Sequence, residues 1–242
     1  MPTYNGANYI KEQIESILAQ LKEDDELIIS DDSSSDSTVS IVEAFNDRRI
    51  KILKNNQFRS PIFNLENALK HATGDFFFLA DQDDIWLEDK IDTVLNSLKN
   101  FNVVVSDCQL IDCSGTLLHS SFYNMRGSGS GFLKNIYKNS YLGCCMAFDK
   151  KIFNAILPFP RGIAMHDMWI GLLAELIGKP KFIPDKLILY RRHGSNFSPT
   201  AESSTFSAFY QLSYRIQLCW YLFLRYICLV FSGCRNSHKS NK

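Results

Sequence analysis

Phe76-Phe77-Phe78-Leu79-Ala80-Asp81-Gln82-Asp83-Asp84-Ile85-Trp86 is the stretch on which the reading of this chain turns: an unbroken apolar run meets three carboxylates within four positions. An apolar run without alternation reads as a strand buried on both faces. Open α/β sheets place ligands beyond the C-terminal ends of their strands, and that end here carries Asp81, Asp83 and Asp84. In extended backbone Asp81 and Asp83 point to one side. Carboxylates so placed repel each other unless a cation lies between them. An oxygen donor set with no His or Cys beside it in sequence suits Mg²⁺ or Mn²⁺, completed by substrate phosphates. The competing reading is a solvated acidic turn that caps the next helix.

Upstream, strand and helix signals alternate. Met1-Pro2-Thr3-Tyr4-Asn5-Gly6 reads as the end of a strand entering an Asn-Gly turn, with most of that first strand missing. Ile10, Ile14, Ile17, Leu18 and Leu21 recur at helical spacing, with Asn8 as candidate cap. Leu27-Ile28-Ile29 is a short buried strand. It runs into the polar loop 30–37, where Asp36 or Ser37 caps a helix facing inward through Val39, Val42 and Phe45. Ile50–Leu53 is a third strand. Pro61 sits in the first turn of a helix bearing Ile62, Leu65, Leu69 and Ala72, with Gly74 as its C′ residue. A helix from about Leu87 to Lys99 and a strand at Val103–Asp107 follow the central stretch. This alternation implies an α/β fold with a mostly parallel sheet, right-handed crossovers and flanking helices, which by itself assigns no function.

Downstream the texture changes. Ser114–Gly131 is rich in Gly and Ser and reads either as a mobile loop over a site or as a surface linker. Tyr141–Phe148 is apolar and strand-like. Met165-His166-Asp167-Met168-Trp169 opens a helix that ends at Gly178, with Pro180 beyond. Two short strands, Phe182-Ile183 and Leu187–Tyr190, lead to the basic turn Arg191-Arg192-His193-Gly194. The segment 206–231 is dense in aromatic and aliphatic residues, and Ile216–Phe231 is apolar except for Gln217 and Arg225. That run falls short of the roughly 20 residues of a spanning helix. It reads as an interfacial helix whose Arg215 and Arg225 snorkel to lipid headgroups, or as a helix packed on the domain or on a second subunit.

The chain has 242 residues, 45% of them hydrophobic, enough for one large α/β domain and its core. Lys+Arg and Asp+Glu both number 26, so no whole-chain basic field points to nucleic acid. Seven cysteines without a C-x-x-C pair read as thiols of a reduced, cytoplasmic protein without a zinc site. No basic segment followed by an apolar one marks a signal peptide.

Acidic groups recur just after apolar strands or at a helix start: Asp31-Asp32, Asp81-x-Asp83-Asp84 and Asp167. With Tyr4 beside the Asn-Gly turn, they suggest a nucleotide site. Tyr4 could stack on a base, Asp32 accept a base N–H, Asp81 reach a ribose and Asp83 hold a divalent ion on a diphosphate.

These motifs, with Gly74-Asp75 before the central strand and Tyr190-Arg191-Arg192-His193-Gly194 after the last one, resemble the family 2 glycosyltransferases of the GT-A fold. The bacterial rhamnosyltransferase-like branch, which builds O-antigen and capsular polysaccharide, is the most similar. The resemblance covers roughly residues 1–200. It implies a GT-A domain over 1–203, with a nucleotide-binding half at 1–107 and an acceptor-binding half at 108–203; residues 204–242 lie outside the resemblance and read from their own composition as a helical tail. It implies nucleotide contacts at Tyr4, Asp31, Asp32 and Asp81, a Mn²⁺ or Mg²⁺ ion near Asp83 and His193, and Asp167 as catalytic base of an inverting transfer. The implied partners are a UDP- or dTDP-sugar donor and a saccharide or lipid-linked saccharide acceptor; contact with the inner face of the cell membrane through 206–231 is read from that segment's own composition. The chain departs from the family pattern in having Asp-Asp-Ser where many members have Asp-Asp-Gly, His166 where Glu is common before the base, and a shortened first strand.

Two rivals stand beside this reading. A sugar nucleotidyltransferase would carry a basic, Gly-rich phosphate loop after its first strand, whereas Asn5-Gly6-Ala7-Asn8 has no basic residue before Lys11. A non-catalytic sugar-nucleotide-binding assembly subunit would have no need of the catalytic carboxylates, all of which are present. Trp169, beside the proposed base, could pack on an acceptor sugar or fill the core.

Overall fold

The computed structural model describes residues 1–194 and 208–237, so the boundary expected at 203/204 and the start of the tail at 206 lie outside the described residues. Strand β1 (Pro2–Thr3) is followed by α1 (Ile10–Leu18), β2 (Leu27–Asp31), α2 (Thr38–Ala44), β3 (Ile50–Leu53) and α3 (Pro61–Lys70). Next come β4 (Phe76–Phe78), β5 (Ile85–Trp86), α4 (Lys90–Leu98), β6 (Val103–Ile111) and β7 (Leu117–His119). The second half adds α5 (Phe122–Arg126), α6 (Phe132–Tyr137), β8 (Met146–Asp149), α7 (Lys150–Ile156), α8 (His166–Ile177), β9 (Pro180–Arg191) and α9 (Ala208–Ser237).

The strands form two sheets. β1, β2 and β3 are parallel, in that order. The larger sheet runs β4-β8-β6-β9-β5, with β7 paired to β6. In it only β6 and β9 are parallel; β8 returns antiparallel between β4 and β6. The α/β architecture is as expected, but the sheet is mixed. Apolar runs announce strands without saying which neighbour a strand takes. A strand from the second half slips in beside β4, and periodicity carries no signal of that.

The core sits around β6 and α8. Val103, Val104 and Val105 are fully buried, as a strand covered on both faces requires. Trp169 is also fully buried and donates its indole N–H to Ile156 O, so it belongs to the core rather than to an acceptor surface.

Several local expectations are corrected. Helix α1 starts after Tyr9, and Asn8 does not cap it. Ser37 is the N-cap of α2 but makes no side-chain cap bond; Asp36 Oδ1 accepts from Thr38 N at 3.0 Å in its stead. Helix α3 stops at Lys70 with His71 as its C-cap, so Gly74 lies beyond the helix end. The central strand is short and Phe76 is half exposed. The Gly/Ser-rich stretch 114–131 holds β7 and α5, and Ser121 and Tyr123 anchor it to buried Asp107, so it is more structured than a plain linker. The two short strands expected before Arg191 are one bulged strand, β9.

Helix α9 lies on α8 through Leu218 and Leu222. Its Phe209–Phe231 portion is long and apolar enough to cross a membrane, by length and composition alone. The helix begins well before Ile216, which is why the shorter run counted from sequence fell below that length. Arg215 and Arg225 do not reach outward. Arg215 donates to Ile136 O and Tyr137 O, and Arg225 to Ala155 O, Leu157 O and Pro158 O. Guanidinium groups committed to carbonyls cannot also snorkel to headgroups.

Candidate active site

The site forms where β1 and β2 end and where the chain leaves β4. Asn5 takes a left-handed conformation (φ 49°), which Asn tolerates, and turns the chain back into α1. Tyr4 projects at this turn and is 59% exposed, accessible to a flat ring. Its backbone is clamped by Gln82: Tyr4 N donates to Oε1 at 2.9 Å, and Nε2 donates to Tyr4 O at 3.1 Å. Gln82, unremarked in the sequence, thus ties the first strand to the acidic motif.

Asp31 is buried at the end of β2. It accepts from Ser34 N at 2.8 Å and from Thr3 Oγ1 at 3.4 Å, so it shapes the loop. Asp32 accepts Phe58 N at 2.6 Å and Ser60 N at 3.3 Å. Both carboxylates hold backbone in place, and Asp32 pins the strap around Phe58 and Ser60.

The acidic motif is a turn rather than an extended continuation of β4. Gln13 Nε2 donates to Asp81 O at 2.8 Å. Arg191, at the end of β9 and only 4% exposed, donates from Nε to Asp83 O at 2.9 Å and from its backbone N to Asp84 Oδ1 at 3.0 Å. Its Nη2 pairs with Glu12 Oε2 at 2.6 Å, and the guanidinium lies over the Tyr9 ring. Glu12 is exposed, so the ion pair itself adds little; the hydrogen bonds from buried Arg191 to Asp83 O and Asp84 Oδ1 hold the motif in shape. The sequence offered it only as one member of a basic turn.

His193 Nε2 lies 2.8 Å from Asp83 Oδ2, with the imidazole stacked on Tyr9 at 4.9 Å between ring centroids. The structure therefore joins Asp83 and His193, 110 positions apart, as the resemblance implied. Burial, reinforced by the neighbouring Asp83 charge, lifts the Asp81 carboxyl to about 7. Nearby Asp84 is also pushed well up, by burial first and by the Asp83 and Asp81 charges next. Crowded carboxylates held high in this way, with an imidazole on Asp83, fit a divalent cation: hard oxygen donors plus one nitrogen.

Asp167 stands in the first turn of α8, where the helix dipole favours negative charge. Its Oδ1 accepts Met168 N at 2.6 Å. Burial nevertheless raises its carboxyl to about 6. The Asp167 charge also contributes to the rise at Asp81, so the two carboxylates lie near enough to feel one another. His166, beside it, is driven down to about 4 by burial and stays a neutral imidazole at physiological pH.

Comparison with known proteins identifies the family. Residues 1–157 match the family described as glycosyl transferase family 2. The chain belongs to glycosyl transferase family 2. A dTDP-rhamnosyl transferase of Shigella flexneri, RfbG, is 29% identical over 240 residues, covering 91% of this chain and 80% of that protein. The Escherichia coli UDP-Glc:alpha-D-GlcNAc-diphosphoundecaprenol beta-1,3-glucosyltransferase WfgD is 37% identical over 103 residues, covering 43% of this chain and 41% of the relative. An uncharacterized glycosyltransferase of Rickettsia typhi is 28% identical over 211 residues, covering 83% of this chain and 65% of its own length. Several of these relatives are thus markedly longer than this family 2 chain. Among solved structures, S. aureus TarS residues 1–349 with UDP-GlcNAc superposes with a TM-score of 0.61 at 18% identity, covering 84% of this chain and 60% of that 1–349 chain. The Pyrobaculum calidifontis mannosyltransferase PcManGT, in complex with GDP-Man and Mn²⁺, gives 0.61 at 21% identity, covering 81% of this chain and 56% of that one. These likenesses show the GT-A fold in this family 2 member.

Proposed function

We propose that this chain transfers a sugar, with inversion, from a nucleoside-diphosphate sugar to a hydroxyl group of a saccharide or lipid-linked saccharide in surface polysaccharide assembly. The observation that carries the reading is the junction of three distant parts of the chain at the Asp81–Asp84 turn: Tyr4 through Gln82, Arg191 through Asp83 and Asp84, and His193 through Asp83. A dTDP- or UDP-sugar is the favoured donor, because RfbG and WfgD bear those donors in their names. Rhamnose is the favoured sugar on the breadth of the RfbG match.

In this reading the exposed Tyr4 ring carries the base. Asp31 and Asp32 hold the loop and strap around it. Asp81, half-buried and with its carboxyl near 7, meets the ribose hydroxyls. Asp83 and His193 hold the divalent ion, Mn²⁺ or Mg²⁺, which when bound stabilises the negative charge of the diphosphate. An acceptor hydroxyl is a weak nucleophile at neutral pH. Asp167 takes its proton as the new C–O bond forms, a role that contributes roughly 10²–10⁴-fold. A carboxyl near 6 is ionised at pH 7 yet basic enough to accept that proton.

The acceptor is read from residues 108–194, where α5, α6 and the start of α8 stand beside Asp167. Helix α9 contributes its outer apolar face, with Leu212, Ile216, Trp220 and Phe223 exposed, to contact with the cytoplasmic membrane surface. Incubating purified protein with a panel of UDP- and dTDP-sugars and following nucleotide release tests the donor. Vesicle flotation with and without residues 208–237 tests the membrane contact.

A further inference from the structure

We infer that Asp81, Asp84 and Cys144 form a second cation site beneath the donor pocket, one that takes a sulfur-seeking divalent ion such as Zn²⁺ and is separate from the Asp83–His193 position. A carboxylate oxygen from Asp81, one from Asp84 and the Cys144 sulfur all lie within 4.8 Å of one another. Asp84 is 1% exposed and Cys144 is fully buried. Asp84 Oδ1 is occupied by the backbone N–H of Arg191, while Oδ2 is buried with no hydrogen-bond partner. A buried, unsatisfied carboxylate oxygen ordinarily costs about 1–3 kcal/mol or more. A cation bound between the oxygens and the sulfur removes that cost.

The donor set decides the metal. Two carboxylates and one thiolate suit zinc, which binds oxygen and sulfur together in four-coordinate sites. Mg²⁺ and Mn²⁺ prefer oxygen. Asp83, whose carboxylate is taken up by His193, is not a member of this cluster. Arg191 holds the turn so that the Asp83 carbonyl and the Asp84 carboxylate both face it. Asp81 is the less buried member and gives the ion a way in from the pocket. Binding releases the Cys144 thiol proton to solvent and leaves a sulfur–metal bond. No sequence spacing signals this site: Cys144 lies 60 positions beyond Asp84 and reaches it only because β8 inserts between β4 and β6.

Occupancy would take the Asp81 carboxylate away from the donor, so the ion inhibits. That consequence rests on the proposed donor site, but the site itself does not. The test is Co²⁺ titration of the reduced, purified full chain, read by the sulfur-to-cobalt charge-transfer band in the near ultraviolet. Wild type should show the band at one equivalent. Cys144→Ser should abolish it, Asp84→Asn should weaken Co²⁺ binding at least tenfold, and Asp83→Ala should retain it. Zn²⁺ should displace the cobalt in wild type, whereas millimolar Mg²⁺ should not. Should Cys144→Ser fail to fold, Asp84→Asn and Asp83→Ala decide the matter. No band in wild type, an undiminished band in Cys144→Ser, or loss of the band in Asp83→Ala would overturn the proposal, the last by showing one shared ion. In the transfer assay, micromolar Zn²⁺ should lower wild-type turnover at saturating Mn²⁺. Retention of the cobalt band without that inhibition would leave the site standing and count against the role of Asp81 in holding the donor.

Discussion

Replacing Asp167 with Asn keeps the side chain's shape and its bond from Met168 N, but removes the ability to accept a proton. If Asp167 is the base, kcat falls by roughly 10²–10⁴-fold, which at 1.36 kcal/mol per decade is about 2.7–5.4 kcal/mol of barrier. Donor KM should stay within about threefold, because uniform binding is untouched. The same change alters stability in the opposite sense. The folded carboxyl sits at about 6 against an unfolded value of 3.8. That is about 2 units, so ionised Asp167 destabilises the fold by about 3 kcal/mol as an upper bound. The sign follows from proton binding: the folded state holds this proton more tightly, so stability rises as pH falls from about 6 towards 3.8, and the full penalty applies above about 6. Asp167→Asn therefore loses activity while gaining thermal stability at pH 8, at about 2–4 °C per kcal/mol for a chain of this size. Wild-type kcat/KM should fall about tenfold per unit below pH 6, and the residual activity of the variant should not. Nucleotide release and thermal melts at pH 5–8 measure both. A variant within about threefold of wild type in kcat, or one less stable than wild type at pH 8, would refute the reasoning.

Gly171 faces the Tyr141 ring across α8, and a Cβ there would run into it, so Gly171→Ala should destabilise by about 1–3 kcal/mol in chemical denaturation. A midpoint shift under about 0.5 kcal/mol would show slack in the packing. Gly6 sits against Gln82, so Gly6→Ala should push aside the clamp on Tyr4 and raise donor KM about tenfold, near 1.4 kcal/mol, with kcat little changed. An unaltered KM would remove Gln82 from the positioning role. Arg225→Ala frees the carbonyls of Ala155, Leu157 and Pro158, and should lower stability by about 1–3 kcal/mol and expose α9 to earlier proteolysis. Unchanged proteolysis would mean that Leu218 and Leu222 alone hold the helix.

The strand and helix positions were largely legible because each element carries its own period: the Ile10-Ile14-Ile17 stripe of α1, the unbroken Val103-Val104-Val105 of β6, and Pro61 opening α3. Asp83 with His193 was legible only through family resemblance, since nothing local joins positions 110 apart. The Asp81–Asp84 segment is a turn where extended backbone is expected, because its shape is imposed from far along the chain, by Gln13 and Arg191. Gln82 was passed over because in a true strand its side chain would point away from Asp81 and Asp83; in the turn it reaches back to Tyr4. The bonds that Asp32 accepts from Phe58 N and Ser60 N carry no signal in the sequence, because they are set by where α3 enters.

The central claim is that the Asp81–Asp84 turn binds a nucleoside-diphosphate sugar through a divalent ion and that the chain turns it over. Its most direct test is nucleotide release from a panel of UDP- and dTDP-sugars by purified protein with Mn²⁺, with Asp83→Ala in parallel. The account predicts that one donor is consumed, that chelation abolishes the reaction, and that Asp83→Ala loses Mn²⁺-dependent donor binding while remaining folded. Donor turnover that persists in Asp83→Ala, or binding without any turnover across the panel and with saccharide acceptors added, would contradict it, the latter in favour of a sugar-nucleotide-binding assembly subunit.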